Sequence, residues 1–151
     1  MTICTSADPA VRGRGMPKRG YHHGNLRQAL IDAALILIEE KGPTGFTLSE
    51  AAKQAGVTPA AVYRHYQGRI DLIAECARQG YGIFADLMEH AYQSGQPSAL
   101  AAFEATGRAY LAFARRFPGH YIAMFESGIS VNRTPELADV ANRANAVLER
   151  A

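Results

Sequence analysis

Phe46-Thr-Leu-Ser-Glu-Ala-Ala-Lys-Gln-Ala-Gly-Val-Thr-Pro-Ala-Ala-Val-Tyr-Arg-His-Tyr66 is the stretch on which the reading of this chain turns. Thr47, followed three residues later by Glu50, has the form of a capping box, in which two otherwise free backbone N–H groups are satisfied reciprocally. Phe46 and Ala51 can staple the chain around that start. The spacing predicts a short helix from Leu48 to Ala55, ended at Gly56, where glycine accepts positive φ without a Cβ clash. A second start follows at once: Thr58 is a good N-cap and Pro59 suits the first helical position. This helix is expected to run to about Tyr66, before Gln67-Gly68 breaks it. Leu48, Ala51, Ala52, Val57 and Val62 can lock the pair together. Two short helices joined by a tight turn make a helix-turn-helix, and the second can enter a DNA major groove by its leading end. A plain hairpin in a helical bundle needs neither the Thr-Pro start nor the Tyr-Arg-His-Tyr ending.

The side chains suit that task. Thr47 and Thr58 combine helix-start amides with hydroxyls that can meet phosphates. Tyr63, His65 and Arg69 are long donors that can grip the backbone on either side of a groove. Thr58, Pro59, Ala60 and Ala61 are small and permit close approach, and the alanine methyls can touch thymine methyl groups. Arg64 has the reach for a base or a phosphate, and the residues alone do not choose between them.

Outward from this segment the pattern stays helical. Upstream, Leu26, Ala29, Leu30, Ala33, Ala34, Leu37 and Ile38 recur at three- and four-residue steps, predicting an amphipathic helix that starts at Asn25 and stops at Gly42-Pro43. Downstream, a helix is expected from about Ile70 to Tyr92, although Gly80 and Gly82 weigh against its continuity. A further long helix through Leu100, Phe103, Tyr110 and Phe113 should end at Pro118-Gly119. A short helix from Tyr121 to Glu126 follows, then a last one opened by Thr134-Pro135. No strand alternation is visible, so the fold class is all-α. The chain divides into a basic tail (1–20), a DNA-binding unit (21–68) and a helical ligand-binding or dimerisation unit (69–151).

Charge supports the division. Residues 1–70 carry nine Lys/Arg against five acids, whereas residues 71–151 carry seven against nine, so an anionic partner is expected for the first half only. Arg12 and Arg14 of the tail can reach a minor groove, or the tail can be a solubilising leader. Cys4 and Cys76 lie outside any CxxC spacing, which argues against a disulfide framework or a zinc site, and His22-His23 lacks further ligands. No cofactor is expected. No apolar run has the ~20 residues a membrane span requires, and no secretory leader is evident, so the chain reads as cytoplasmic. The sequence holds no HExxH, GxSxG, phosphate loop or dinucleotide fingerprint, so it does not read as an enzyme.

Thr47 to Leu72, with Val62-Tyr63-Arg64-His65-Tyr66 and Arg69-Ile-Asp-Leu72, resembles the DNA-binding domain of the tetracycline-repressor (TetR) family. The Tyr21-His-His-Gly-Asn-Leu26 entry is similar to a recurring one in that family. Tyr110 to Phe125 resembles its WHG type of C-terminal domain, without the Trp of the naming motif. The resemblance implies a homodimeric transcriptional regulator, normally a repressor, whose paired helices read a palindromic operator on double-stranded DNA. It also implies a C-terminal pocket for a small effector that releases the DNA. Carried over by position, the DNA contacts would be Thr47, Thr58, Pro59, Ala60, Ala61, Tyr63, Arg64, His65 and Arg69. Phe84, Met88, Phe103, Tyr110, Phe113, Tyr121, Met124 and Phe125, with Tyr81, are either the lining of a hydrophobic effector's cavity or simply core. Family chains usually run longer, and their last two helices form the dimer interface. The expectation is therefore a shortened chain or dimerisation through other surfaces. The alternative functions are a ligand-binding bundle, or an interaction partner of longer regulators without operator binding of its own.

Overall fold

The computed structural model describes residues 23–151. The basic tail with Arg12 and Arg14, Cys4, and the Tyr21-His22 entry lie outside the described residues. Among the described residues there are helices and turns and no strand.

α1 (His23–Lys41) begins two residues before the expected cap, so Asn25 is an internal helical residue. It stops where expected, with Gly42 at φ 78 and its N–H bonded to the Ile38 carbonyl at 2.9 Å. α2 (Leu48–Ala55) opens on Thr47, whose Oγ1 accepts from the Glu50 N–H at 3.1 Å, and closes on Gly56 at φ 72. Only half of the expected capping box forms. The Glu50 carboxylate instead takes Lys41 Nζ at 2.7 Å and braces α2 against the end of α1. α3 (Pro59–Tyr63) is shorter than expected. The N–H groups of His65 and Tyr66 both close on the Val62 carbonyl, and the chain then turns the Tyr66 ring into the core. Asp71 accepts the Gln67 N–H at 3.0 Å, which sets the corner into the next helix.

α4 (Arg69–Gly95) is continuous through both glycines. Gly80 marks a close crossing: a Cβ there would meet Met124 Sδ at 2.6 Å and His120 Cβ at 3.1 Å. α5 (Ala99–Arg116) starts on Ser98, whose Oγ accepts from the Ala101 N–H. α5 ends just before Pro118-Gly119, as the spacing predicts, and the same pair also opens the next helix. α6 (Pro118–Tyr121) has proline in its first turn and passes into a π turn over Ile122–Glu126. The reason is tertiary: the free Gly119 N–H of the first turn donates to Glu39 Oε1 of α1 at 3.1 Å. A 3-10 turn (Val131–Arg133) leads to α7 (Pro135–Arg150), capped by Thr134.

α4 is the spine, with α5 and α7 packed along it and α1 and α6 against its first half. One apolar core runs from Leu30, Ile38, Phe46, Val62 and Leu72 to Phe84, Met88, Phe113, Leu137 and Ala144. Cys76 lies in it at 0% exposure, and burial pushes its thiol up to about 12, so it behaves as a small apolar side chain.

Candidate nucleic-acid interface

α3 is held to the protein by one side chain. Val62 is fully buried, whereas Thr58, Pro59, Ala60, Tyr63, Arg64 and His65 are exposed and Ala61 is half-buried. An aromatic ring left 57% exposed beside a fully buried valine shows which way the helix faces. The Thr58 hydroxyl accepts from the Ala61 N–H at 3.3 Å, so its first duty is to hold the helix start. Thr47 does the same for α2 and is likewise exposed. The structure therefore brings eight of the nine expected contact residues to the surface around one short helix, Ala61 less fully than the rest.

Arg69 is placed differently. Its Nη1 donates to the carbonyls of Thr44 at 3.1 Å and Phe46 at 3.2 Å, and its Nε is buried without a partner. The guanidinium thus clamps the loop that delivers α2. This clamp, and the Lys41–Glu50 brace, are features the sequence reading missed. Arg69 acts across 23 to 25 residues, and no local pattern signals such a tie.

Behind α3, His65 borders a cleft of about 520 Å³ shared with Arg27, Tyr66, Asp71, Glu75, Arg78 and Arg133. Glu75 takes Arg27 and Arg78, each at 3.1 Å, and Asp71 takes Arg133 at 2.7 Å. The Arg133 hydrogen bond holds the Asp71 carboxyl below the usual carboxylate range. Burial pushes the Tyr66 hydroxyl up, and the Arg27 guanidinium beside it opposes that only in part. A polar bridge also joins the helices: Gln79 donates to Gln28 and shares a hydrogen bond with the buried His120, both at 2.9 Å. Burial lowers the His120 pKa, and the carboxylates of Asp32 and Glu39 oppose it. With the Glu39–Gly119 contact, these bonds couple α1 to α4 and α6.

The expected effector residues separate into two groups. Phe84, Met88, Phe113 and Met124 are buried, and Tyr110 and Tyr121 are half-buried. Phe84 lies edge-on to Tyr110, Phe113 and Phe125 at centroid distances of 5.6, 5.1 and 6.0 Å. The hydrogen bond between the Tyr110 and Tyr121 hydroxyls, with burial second, pushes Tyr110 up to about 12. These rings fill one another's space. Phe125 is partly exposed, and Phe103 is 62% exposed and outside the ring cluster. A second cleft of about 370 Å³, lined by Pro43, Arg69, Ile73 and Ile129 among others, also lies away from the cluster.

Comparison with known proteins bears on both the N-terminal and the C-terminal part of the chain. The family of bacterial regulatory proteins of the tetR type matches residues 30–76, and the tetracyclin repressor-like C-terminal domain matches residues 103–151. The chain belongs to the TetR family. Among curated TetR relatives, the HTH-type transcriptional regulator AcrR of Shigella flexneri is 43% identical over 49 residues, 32% of this chain and 23% of AcrR. BetI of Rhizobium meliloti strain 1021, also an HTH-type transcriptional regulator, is 37% identical over 71 residues, 47% of this chain and 34% of BetI. The matched stretch thus spans roughly a quarter to a third of the length of these two relatives. Among solved structures, a TetR family regulator from Marinobacter aquaeolei VT8 superposes with a TM-score of 0.68 at 19% identity, over 85% of this chain and 67% of that one. A Rhodococcus protein of unknown function gives 0.70 at 26% identity, over 86% and 67%.

Proposed function

We propose that this TetR-family chain is a sequence-specific DNA-binding transcription regulator. It acts as a repressor, binding a palindromic operator as a homodimer and leaving it when a small hydrophobic effector binds. The observation that carries this reading is the orientation of α3: Val62 faces inward while Tyr63, Arg64 and His65 stand in solvent beside the small Thr58-Pro59-Ala60 end. That face is narrow, polar and free of carboxylates, as a helix entering a major groove must be. Tyr63 and His65 serve as phosphate contacts, Arg64 and Ala61 as readers of base edges. Arg69 contributes mainly by holding the loop before α2.

Residues 21–68 are the DNA-binding unit in this reading, and residues 69–151 regulate and pair it. The effector enters among Phe84, Met88, Tyr110, Phe113, Tyr121, Met124 and Phe125, where displaced rings would push on α4 and α6. Phe103 lies outside that site. Because α6 is tied to α1 through Glu39, and α4 through Gln79, a shift there moves the DNA-binding helices.

Selection of bound genomic fragments, followed by mobility-shift titration on the recovered site, tests the proposal. A palindromic consensus is expected. Replacing Tyr63 and His65 together with Ala should weaken binding to all sequences alike. Arg64→Ala should change sequence preference, at about 1–3 kcal/mol per lost base contact. A double variant that binds as tightly as the parent would remove the contact set.

A further inference from the structure

Where the DNA-binding head meets the body, the chain encloses a cleft of about 370 Å³, within the roughly 300–1,000 Å³ of small-molecule sites. Pro43 before α2, Ile70 and Ile73 on α4, and Ile129 in the loop after the π turn give it apolar walls. Ile70 is left 47% exposed there. The loop wall is braced by its own hydrogen bonds. Ser127 Oγ donates to the Ala123 carbonyl at 2.6 Å and accepts the Ile129 N–H at 3.3 Å. Two cations, Arg69 and Arg133, complete the lining.

The arginines around this junction differ in one respect. Arg27 and Arg78 are balanced by Glu75, and Arg133 by Asp71. Arg69 has no carboxylate within ion-pair distance among the described residues. Its partners are two neutral carbonyls, and its Nε is buried with none. A half-buried guanidinium short of both an acceptor and a counter-charge is costly until something supplies them. A carboxylate does so best, because its two oxygens match the guanidinium fork. Three isoleucines beside that charge add a requirement that a bare inorganic anion does not meet.

We propose that this cleft binds a small monocarboxylate with an apolar body, its carboxylate paired with Arg69 and its body laid on Ile70, Ile73 and Ile129. Arg133 is the second cation near the carboxylate. The site lies away from the ring cluster, so it is separate from the one assigned above to a hydrophobic effector. Its occupant draws on the same guanidinium that holds the Thr44 and Phe46 carbonyls, and so acts on the loop that delivers α2. That consequence rests on the proposed DNA binding. The site itself is tested without DNA, so the two fail separately.

The full chain, labelled with 13C at the isoleucine methyls, is titrated by NMR with 3-phenylpropanoate at neutral pH, where the acid is ionised. Ile70, Ile73 and Ile129 should show the largest shifts and should saturate in the low-millimolar range or below. 3-Phenylpropanamide keeps the body without the charge, and acetate keeps the charge without the body. Each should bind at least about tenfold more weakly. Ile70→Glu sets a carboxylate beside Arg69 in place of the ligand's and should abolish saturation. Ile70 is exposed, and an acid suits the first turn of a helix, so the variant should melt like the parent. The acid-against-amide comparison uses the unaltered protein and holds whatever the variant does. Absence of saturation, equal binding of acid and amide, or largest shifts at other isoleucines overturns the proposal. So does a folded Ile70→Glu that binds like the parent. Acetate binding as tightly as the longer acid would make the site one for an adventitious ion only, and would also overturn it.

Discussion

α3 and α5 both show solvent a face that most helices would hide or make charged, and the two faces differ in chemistry. α3 has five residues and one buried anchor, and with the flanking Thr58, Arg64 and His65 it shows a surface of Thr, Pro, Ala, Tyr, Arg and His. α5 has eighteen residues, buries Ala102, Thr106 and Phe113, and presents Leu and Phe on another side. Small and polar groups that keep their water suit a hydrated polyanion, where most contacts go to phosphates and ordered water. Exposed Leu and Phe suit an apolar partner that removes water altogether. One molecule thus separates a small, polar exposed face at its head from an apolar exposed face on its body.

The contrast can be broken by substitution, and the largest effect is expected inside the body. Phe84→Ala removes a 1% exposed ring in contact with three others and should cost about 3–5 kcal/mol in denaturant unfolding. Phe103→Ala should stay within about 0.5 kcal/mol for the monomer. Equal losses at both positions would mean that α5 hides the face described as open.

Two arginines on either side of the Tyr66 corner, Arg64 and Arg69, sharpen the other side. Arg69→Ala leaves the Thr44 and Phe46 carbonyls without their charged donor and should lower stability by about 1.5–3 kcal/mol, together with DNA affinity. Arg64→Ala should change DNA binding while thermal melting stays put. A stability loss at Arg64 as large as at Arg69 would remove the distinction between reader and clamp.

A smaller change is expected at the start of α3. Thr58→Ala removes the Oγ1 that accepts the Ala61 N–H and should cost about 1 kcal/mol, read by thermal unfolding. The smallest effect concerns pH. His120 is buried, and burial lowers its pKa from the ordinary 6.5. The unfolded chain takes up a proton in a range where the folded protein resists it. This contribution is therefore complete above 6.5 and is lost as pH falls through the lowered folded value. His120→Gln should flatten the fall of unfolding free energy as pH drops below 6.5 relative to the parent. An unchanged slope would show that His120 does not titrate against the fold.

Local signals carried the head further than the body. Thr47, Gly56, Thr58 and Pro59 each act within four residues, so their caps, left-handed turn and helix start could be read from spacing, and the structure has them where expected. The limits of α2 were legible for that reason. The length of α3 was not, because Tyr66 leaves the helix to bury its ring in a core built by distant residues. Glu50 was read as a capping partner and serves as a brace, because Lys41 is delivered to it by the packing of α1. In the body, the apolar residues of α5 recur on two faces, and periodicity could not say which one α4 would cover. Phe113 and Phe103 were therefore grouped together and lie on opposite sides of that decision.

The order of residues alone determined that this chain is helical, where its short helices begin, and that the second of them carries groups fit for DNA. Those properties depend on backbone groups and side chains a few bonds apart, whose free energies hardly depend on the rest of the molecule. Tertiary structure decided that Pro118 opens a helix, that Arg69 holds a loop, and that Leu100, Phe103 and Leu111 face water. Each of these depends on which distant surface arrives first to cover a group, and burial is a property of the packed molecule rather than of any stretch within it.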